Sequence, residues 1–533
     1  MVGTTMLAAK PLIFTLFAAL PALAAETFTN PIGEGADPWL TRQGDQYAWC
    51  QAPGNRQVSL WLTDSPTSLG TEHVIWHAPE KGPYSREVWA PEAHFIDGHW
   101  YIYFAADDGN NANHLAYVLE SKTSDPLSEY ELHGPFATGE GEDGKSPNLW
   151  AIDMTVFEHA GKLYAIWSGW DAPGTDQQYL YIAPMKSPTE LSGPRVLLCD
   201  NDDYLWERTE EREGSRGLNE GPQLLEHEGR TFLTYSCGAS WDTTYKLGML
   251  ELTGKDPLDP ASWKKFPEPV FKSTENTYGV GHGSFVKSPD GKQWWHAFHA
   301  KRSRQHGWQR AIFVQPFSFG NDGLPDFGEP VEAGSPIEVP SGTKTPSVSL
   351  PYHAKLTDAA DQNDFAYYGH QQFYAVRDDG AHLGVVPKEP VNGYRSGEKL
   401  VLRGGDFTDL AASVDIHFIE GDRDAGLLFR VTDPTVGFDA QKGYFAGILP
   451  GQEAVILGKT DGNAWTELAR ESVRLGTQRE ALLAVSARGE KITVSVNGKT
   501  LIETEDDTWS HGTLGLRVVD THACFKNLSI ERP

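Results

Sequence analysis

One sequence pattern recurs five times between residues 35 and 300, and it limits the folds open to this chain more than any other feature. Each copy begins with a polar or ionisable residue, continues through a short, mostly apolar stretch, turns at a glycine six to nine residues on, and returns as an aromatic-rich segment. Two such segments joined by a glycine turn are typical of a β-hairpin. The copies are GADPWLTRQGDQYAWCQA (35–52), WAPEAHFIDGHWYIYFAA (89–106), WAIDMTVFEHAGKLYAIWSG (150–169), LNEGPQLLEHEGRTFLTYSC (218–237) and GHGSFVKSPDGKQWWHAFHA (281–300).

The first ionisable residues of the five copies indicate a shared position in the fold. They are Asp37, Glu92, Asp153, Glu220 and His282, at successive spacings of 55, 61, 67 and 62 residues. Such a period is about the length of one four-stranded sheet with its loops, and helix signals between the copies are sparse. We therefore predict an all-β fold whose first domain is a five-bladed β-propeller. Four acids and a histidine would then converge on its central channel.

Composition shifts along the chain divide it into four segments. Residues 1–24 contain Lys10, an apolar run and a small-x-small site, which predicts a signal peptide and a secreted or periplasmic protein. Residues 25–320 form the predicted propeller, and residues 321–351, rich in proline, glycine and serine, form a predicted linker. Period-two alternation and an Asn-Gly turn predict a β-sandwich of the jelly-roll type over residues 352–533.

The net charge of −28 and the pI near 5.0 argue against nucleic acid and anionic membrane surfaces as partners. Those partners are bound through clustered lysine and arginine. After the signal peptide no apolar stretch approaches the ~20 residues that a membrane span requires. The four cysteines, none in a CxxC pair, leave open one bridge among the first three or buried free thiols: Cys50, Cys199, Cys237 and Cys524.

Several carboxylates around one aromatic-lined channel are suited to glycosidic bond hydrolysis. One carboxyl must be protonated to donate to the leaving oxygen, and another must be ionised to activate water. A third negative charge nearby would raise the pKa of the donor. A single acid at a strand start more often caps a turn or pairs with an arginine, but recurrence in register favours the catalytic interpretation.

The motifs GADPW, WAPE, AIDMTVF, NEGPQLL and YGVGHGSF, in this order, resemble the propeller hydrolases of glycoside hydrolase family 43 over roughly residues 27–320. The resemblance implies that Asp37 is the general base, Glu220 the general acid, and Asp153 the residue that tunes the pKa of the acid and orients it. It also implies hydrolysis in a single step with inversion. For Glu92 we favour a structural role, with its carboxylate bonded to neighbouring backbone. The C-terminal segment resembles concanavalin-like sandwiches, which bind polysaccharide or brace the propeller.

The resemblance extends to residues around these acids. His282 matches a histidine beneath the active site that holds a metal or a water, so Ca²⁺ in the channel is an open alternative to a core histidine. No cofactor is otherwise expected. Arg310 matches an arginine of the sugar pocket, with a surface salt bridge as the alternative. Three tryptophans beside the acids could stack on sugar or pack between blades: Trp39, Trp89 and Trp150.

The predicted function is release of terminal L-arabinofuranose from plant cell-wall polysaccharide. A β-D-xylosidase or exo-arabinanase of the same family is the main alternative, because loop differences decide between these substrates. A non-catalytic sugar-binding propeller is a second alternative. It would not need a base, an acid and a tuning residue together.

Overall fold

The computed structural model describes residues 26–139, 148–346, 348–358, 361, 364–369, 374–384, 386 and 397–533. The predicted signal peptide therefore lies outside the described residues. Within the described part, regular structure is strand with short 3₁₀ turns, at Pro53–Asn55, Asn111–Asn113, Leu205–Glu207, Pro260–Ser262 and Pro450–Gln452. No helix there is long and apolar enough to span a membrane. The all-β prediction is confirmed.

The described strands up to residue 338 form five consecutive antiparallel sheets, which are the blades of a propeller, and one separate two-stranded sheet. Two short strands come first, β1 (Thr27–Thr29) and β2 (Gly33–Glu34). The first blade is β3 (Trp39–Gln43), β4 (Gln46–Gln51), β5 (Gln57–Thr63) and β6 (Thr71–His77). The second is β7 (Arg86–Ile96), β8 (His99–Asp107), β9 (Leu115–Ser121) and β10 (Tyr130–His133). The third is β11 (Ala151–His159), β12 (Lys162–Gly169), β13 (Tyr179–Ser187), β14 (Glu190–Leu191) and β15 (Val196–Cys199). The fourth is β16 (Asn219–His227), β17 (Arg230–Cys237), β18 (Lys246–Leu252) and β19 (Trp263–Lys265). The fifth is β20 (Gly281–Lys287), β21 (Trp294–Lys301) and β22 (Arg310–Phe319), followed by β23 (Pro325–Asp326) and β24 (Pro336–Glu338).

The start of the chain closes the ring. Strand β2 pairs with β22, so the fifth sheet contains strands from both ends of the propeller. Strand β1 pairs with β24, and β23 pairs with β22. The segment predicted as a linker therefore contributes two strands that lie against the propeller. Pairing of first and last strands covers edges that would otherwise be open to other chains.

Each innermost strand begins with the same backbone irregularity. One residue has a positive φ, between 43° and 55°, and the ladder to the next strand resumes two residues later. Such bulges re-aim side chains at the rims of barrels and beside active sites. The positive-φ residues are Asp37, Ala90, Asp153, Gly221 and His282.

This irregularity refines the predicted alignment of the five acids. Glu220 precedes the positive-φ residue of its blade by one position, and Glu92 follows that of its blade by two. The hairpin pattern could not reveal this, because a bulge adds an unpaired residue without changing the hydrophobic alternation that follows. As a result Asp37, Asp153 and His282 share one level of the channel, while Glu220 and Glu92 have different surroundings.

The described part of the sandwich contains thirteen strands in one hydrogen-bonded network around a large apolar core, with a smaller apolar cluster that includes Leu428 and Phe445. Strand β30 pairs with β34 through its first half and with β31 through its second, so it passes from one layer to the other. Register breaks near Gly421 allow this bend. The strands are β25 (Tyr352–Ala354), β26 (Phe365–Tyr368), β27 (Tyr374–Arg377), β28 (Gly380–Leu383), β29 (Glu398–Leu402), β30 (Leu410–Thr432), β31 (Lys442–Leu449), β32 (Ala454–Asp461), β33 (Trp465–Ser472), β34 (Glu480–Arg488), β35 (Lys491–Val496), β36 (Lys499–Glu505) and β37 (Thr513–Glu531).

Candidate active site

Asp37 contacts three basic side chains with one carboxylate oxygen. Its Oδ1 accepts a hydrogen bond from Arg310 Nη1 at 3.1 Å and lies 3.2 Å from Nδ1 of both His282 and His299. Burial raises the pKa of Asp37, but the charges of Arg310 and His282 outweigh it, and the net pKa is well below the ordinary value. Asp37 is therefore an ionised carboxylate at neutral pH, as a base must be.

His299 fixes the backbone of Asp37. The Asp37 N–H donates to Nδ1 of His299 at 3.1 Å, so this nitrogen carries a lone pair. Burial and the Arg310 charge lower the pKa of His299 to about 4, which keeps the ring neutral. A neutral imidazole accepting from the backbone holds Asp37 in its left-handed conformation without adding charge.

Glu220, at the start of β16, is held through both carboxylate oxygens. Tyr245 donates its hydroxyl to Oε1 at 2.8 Å, and Gln178 donates Nε2 to Oε2 at 3.0 Å. Burial keeps the pKa of Tyr245 well above its usual value, so the phenol remains a donor. The Tyr245 ring also stacks on His299, with centroids 5.3 Å apart. One aromatic ring thus links the surroundings of the two carboxylates.

Asp153 lies between the other two acids. Its Oδ2 accepts the Gly221 N–H at 3.0 Å and is 4.0 Å from Nδ1 of His282. Burial raises the pKa of Asp153 to about 8; the charge of His282 opposes this rise, while the charges of Glu220 and Asp37 add to it. Near neutral pH the carboxyl group of Asp153, which neighbours Glu220, is therefore protonated.

Gly221 is required where these residues meet. Its φ is +55°, and a Cβ there would come within 3.0 Å of the His282 ring. Only glycine combines this conformation with so close an approach. The NEGP motif therefore places the Glu220 carboxyl, the turn that aims it and the N–H that binds Asp153 in two consecutive residues.

Glu92 is buried and bonded to side chains rather than to the backbone that we had expected. Its Oε1 accepts from Gln223 Nε2, and its Oε2 lies 3.2 Å from Nε2 of His94. Gln223 occupies the equivalent bulge position two blades away, so this contact joins opposite sides of the channel.

The three predicted tryptophans pack between or within blades. Trp39 donates Nε1 to the carbonyl of Ala93 at 2.7 Å. Trp89 stacks on His114, with centroids 4.0 Å apart. Trp150 is 5% exposed and stacks on Trp170. Any contact of these three rings with a sugar stays a prediction.

One exposed aromatic side chain near Asp37, Trp308, was not among the sequence predictions. Trp308 is 60% exposed and packs edge-on against Trp241, and the guanidinium of Arg310 lies 5.6 Å from its ring. The same guanidinium binds Asp37. Arg310 therefore links the exposed indole ring of Trp308 to the ionised carboxylate of Asp37.

The comparisons with known proteins agree with this geometry. The family model described as glycosyl hydrolases family 43 matches residues 28–325. The chain belongs to glycosyl hydrolase family 43. A second model, described as a 3-keto-α-glucoside-1,2-lyase-like domain, matches residues 354–531 and covers the sandwich of this family 43 protein.

Several proteins similar to this chain carry arabinofuranosidase names. An extracellular exo-α-(1→5)-L-arabinofuranosidase of Streptomyces avermitilis is 34% identical over 60% of this chain and 66% of its own length. A protein of the same name from Streptomyces chartreusis is 34% identical over 52% of this chain and 84% of its own. A crystal structure of an α-L-arabinofuranosidase from Lactobacillus brevis is 31% identical, with a TM-score of 0.53 over 58% of this chain and 98% of that one.

The surroundings of His282 bear on the predicted calcium. Burial alone would lower the pKa of His282, but Asp37, Asp153 and Glu220 raise it. A protonated imidazole cannot ligate a metal, and calcium prefers oxygen donors. This environment favours an imidazolium paired with Asp37, so we derive no catalytic step through a metal. Calcium in the channel stays a prediction.

The functional side chains that sequence reasoning missed come from middle strands or loops. Gln178 precedes β13, Tyr245 precedes β18, and His299 lies on β21, whereas the recurring motifs mark only innermost strands. Gly281 leaves room for the Tyr245 ring, because a Cβ there would come within 2.6 Å of it. The four cysteines are buried free thiols.

Proposed function

We propose that this protein is an extracellular exo-acting α-L-arabinofuranosidase that removes terminal L-arabinofuranose from arabinan or arabinoxylan with inversion. The observation that carries the proposal is that the same channel contains an ionised Asp37 and a Glu220 whose two carboxyl oxygens both accept hydrogen bonds. Asp153, in the same channel, has a raised pKa. The arabinofuranosidase names of the similar proteins supply the sugar.

The proposed reaction is a single displacement. Asp37 takes a proton from a water whose oxygen attacks the anomeric carbon, while Glu220 gives its proton to the glycosidic oxygen as the carbon–oxygen bond breaks. Arg310 and His299 hold Asp37 in place, and Asp153 accepts the Gly221 N–H beside Glu220. Solvent then returns a proton to Glu220 and removes one from Asp37, which restores the starting state.

Substitution of the acid tests this assignment. Loss of a general acid costs about 10²–10⁴-fold on oligosaccharides, whose leaving groups need protonation, and far less on dinitrophenyl glycosides, which leave as stable anions. We expect Glu220→Gln to show this contrast. Glu226→Gln, on the same strand but exposed, is the matched control and should retain wild-type rates. Equal losses on both substrate types would refute the role of Glu220.

The substrate is tested separately. Aryl α-L-arabinofuranoside and aryl β-D-xyloside should be compared with the wild-type protein, and nuclear magnetic resonance should identify the first anomer released. Faster hydrolysis of the xyloside would make this a xylosidase. Retention of configuration would exclude the single displacement, and activity on neither glycoside would favour a sugar-binding propeller. N-terminal sequencing of the exported protein tests cleavage after residue 24.

A further inference from the structure

Three side chains with metal-binding atoms meet in the sandwich, on elements that take no part in the channel. Asp379 lies in the two-residue turn between β27 and β28, His382 on β28 and Cys524 on β37. His382 and Cys524 are direct partners across the two antiparallel strands. Side chains of such partners lie on the same face of a sheet, only a few ångströms apart.

The ligand atoms of the three residues are close enough to share one ion. A carboxylate oxygen of Asp379, a ring nitrogen of His382 and Sγ of Cys524 all lie within 4.8 Å of one another. The distance from Asp379 Oδ1 to His382 Nε2 is 2.9 Å. Gly380 makes this approach feasible, because a Cβ there would come within 2.5 Å of the Cys524 sulfur.

A fourth residue orients the histidine. Nδ1 of His382 lies 3.0 Å from Nε2 of His522, which is two residues before Cys524 and so on the same face of β37. When Nδ1 donates to His522, Nε2 carries the lone pair and faces the carboxylate of Asp379. A metal ion can then replace the proton that otherwise joins these two atoms in their 2.9 Å hydrogen bond. Metal-ligating histidines usually donate the N–H of their other ring nitrogen to a hydrogen-bond acceptor.

We propose that Asp379, His382 and Cys524 bind one zinc ion, with a water as the fourth ligand and His522 as the orienting partner. Nitrogen, sulfur and oxygen donors in tetrahedral arrangement suit Zn²⁺, whereas Ca²⁺ and Mg²⁺ require oxygen donors. The thiol releases its proton to solvent on binding, and thiolate and carboxylate together neutralise the dication. His382 and Cys524 are buried and Asp379 is 63% exposed at the side chain, so the ion enters past the turn.

Binding of cobalt to the full-length protein tests the site. The chain is stripped with a chelator, kept reduced with a phosphine and titrated with Co²⁺. We expect one equivalent to produce intense visible bands of tetrahedral Co²⁺ with a thiolate charge-transfer band, and Zn²⁺ to bleach them. Added Zn²⁺ should also raise the melting temperature, because it binds the folded state. Absence of the cobalt spectrum would overturn the proposal.

Variants separate this site from other thiols. Cys524→Ser should remove the charge-transfer band, and Cys199→Ser, a buried thiol of the propeller, should keep it. His522→Ala should weaken binding about 10–100-fold. Asp379→Asn, in an exposed turn that tolerates substitution, should weaken it at least tenfold even if Cys524→Ser does not fold. Persistence of the band in Cys524→Ser, or unchanged affinity in Asp379→Asn, would refute the site. Aryl arabinofuranoside hydrolysis by Asp379→Asn should match the wild type, so the outcome is independent of the proposed function.

Discussion

Replacing Asp153 with asparagine should remove a pH-dependent loss of stability from the propeller. Asp153 is 3% exposed, and burial raises its pKa to about 8 from the ordinary aspartate value of 3.8. Because the folded-state pKa is the higher one, its contribution is fully present below about pH 4 and is lost as the pH rises through about 8. A shift of this size corresponds to roughly 6 kcal/mol of unfolding free energy, at 1.36 kcal/mol per pKa unit.

Asparagine mimics the protonated acid and keeps an oxygen that can accept the Gly221 N–H. Asp153→Asn should therefore be more stable than the wild type near pH 8 by several kcal/mol, while the two converge near pH 4. Urea unfolding followed by tryptophan fluorescence at several pH values measures the difference. Asp97→Asn, in the exposed turn between β7 and β8, is the control. Its unfolding free energy should change with pH in parallel with that of the wild type. A parallel curve for Asp153→Asn would refute the argument that Asp153 is protonated in the folded protein.

Three further substitutions probe the surroundings of the acid and the base. Tyr245→Phe removes the hydrogen bond to Glu220 and should lower kcat/KM about 10–100-fold, since leaving a buried acceptor without its donor costs about 1–3 kcal/mol; steady-state kinetics measures the loss. Arg310→Gln removes a charge that lowers the pKa of Asp37, so the acid limb of the pH–kcat/KM profile should move to higher pH. Trp308→Ala should raise KM for arabino-oligosaccharides several-fold and leave kcat on an aryl arabinofuranoside unchanged, because its exposed ring can stack on a sugar beyond the cleaved bond.

Each of these variants has a matched control. Tyr117→Phe removes a hydroxyl with one long contact to the Pro83 carbonyl and should leave kcat/KM unchanged. Arg423→Gln removes an ion pair in the sandwich and should leave the acid limb in place. Leu205→Ala truncates another exposed apolar side chain, 48% exposed, and should not change KM. An unmoved acid limb in Arg310→Gln, or an unchanged KM in Trp308→Ala, would contradict the corresponding role.

The repeat and its glycine turns were sufficient to predict the blades, because hairpin pairing is local. The residues around Asp37, Asp153 and His282 could be placed in one channel from the recurrence alone, and the structure brings them together. The sequence did not reveal the directions in which the side chains of Glu220 and Glu92 point. A single bulge residue changes the side-chain direction without changing the apolar pattern that a sequence displays.

The sequence by itself therefore determined the all-β class, the five blades and the recurring position of four acids and a histidine, since each of these follows from local alternation and spacing. Only the tertiary structure decided the electrostatic surroundings of these carboxyl groups. That outcome depends on burial of Asp153 beside Glu220 and on the convergence of Arg310 and His282 at Asp37. Electrostatic energies depend on distances between blades far apart in sequence, and no single stretch of residues carries that information.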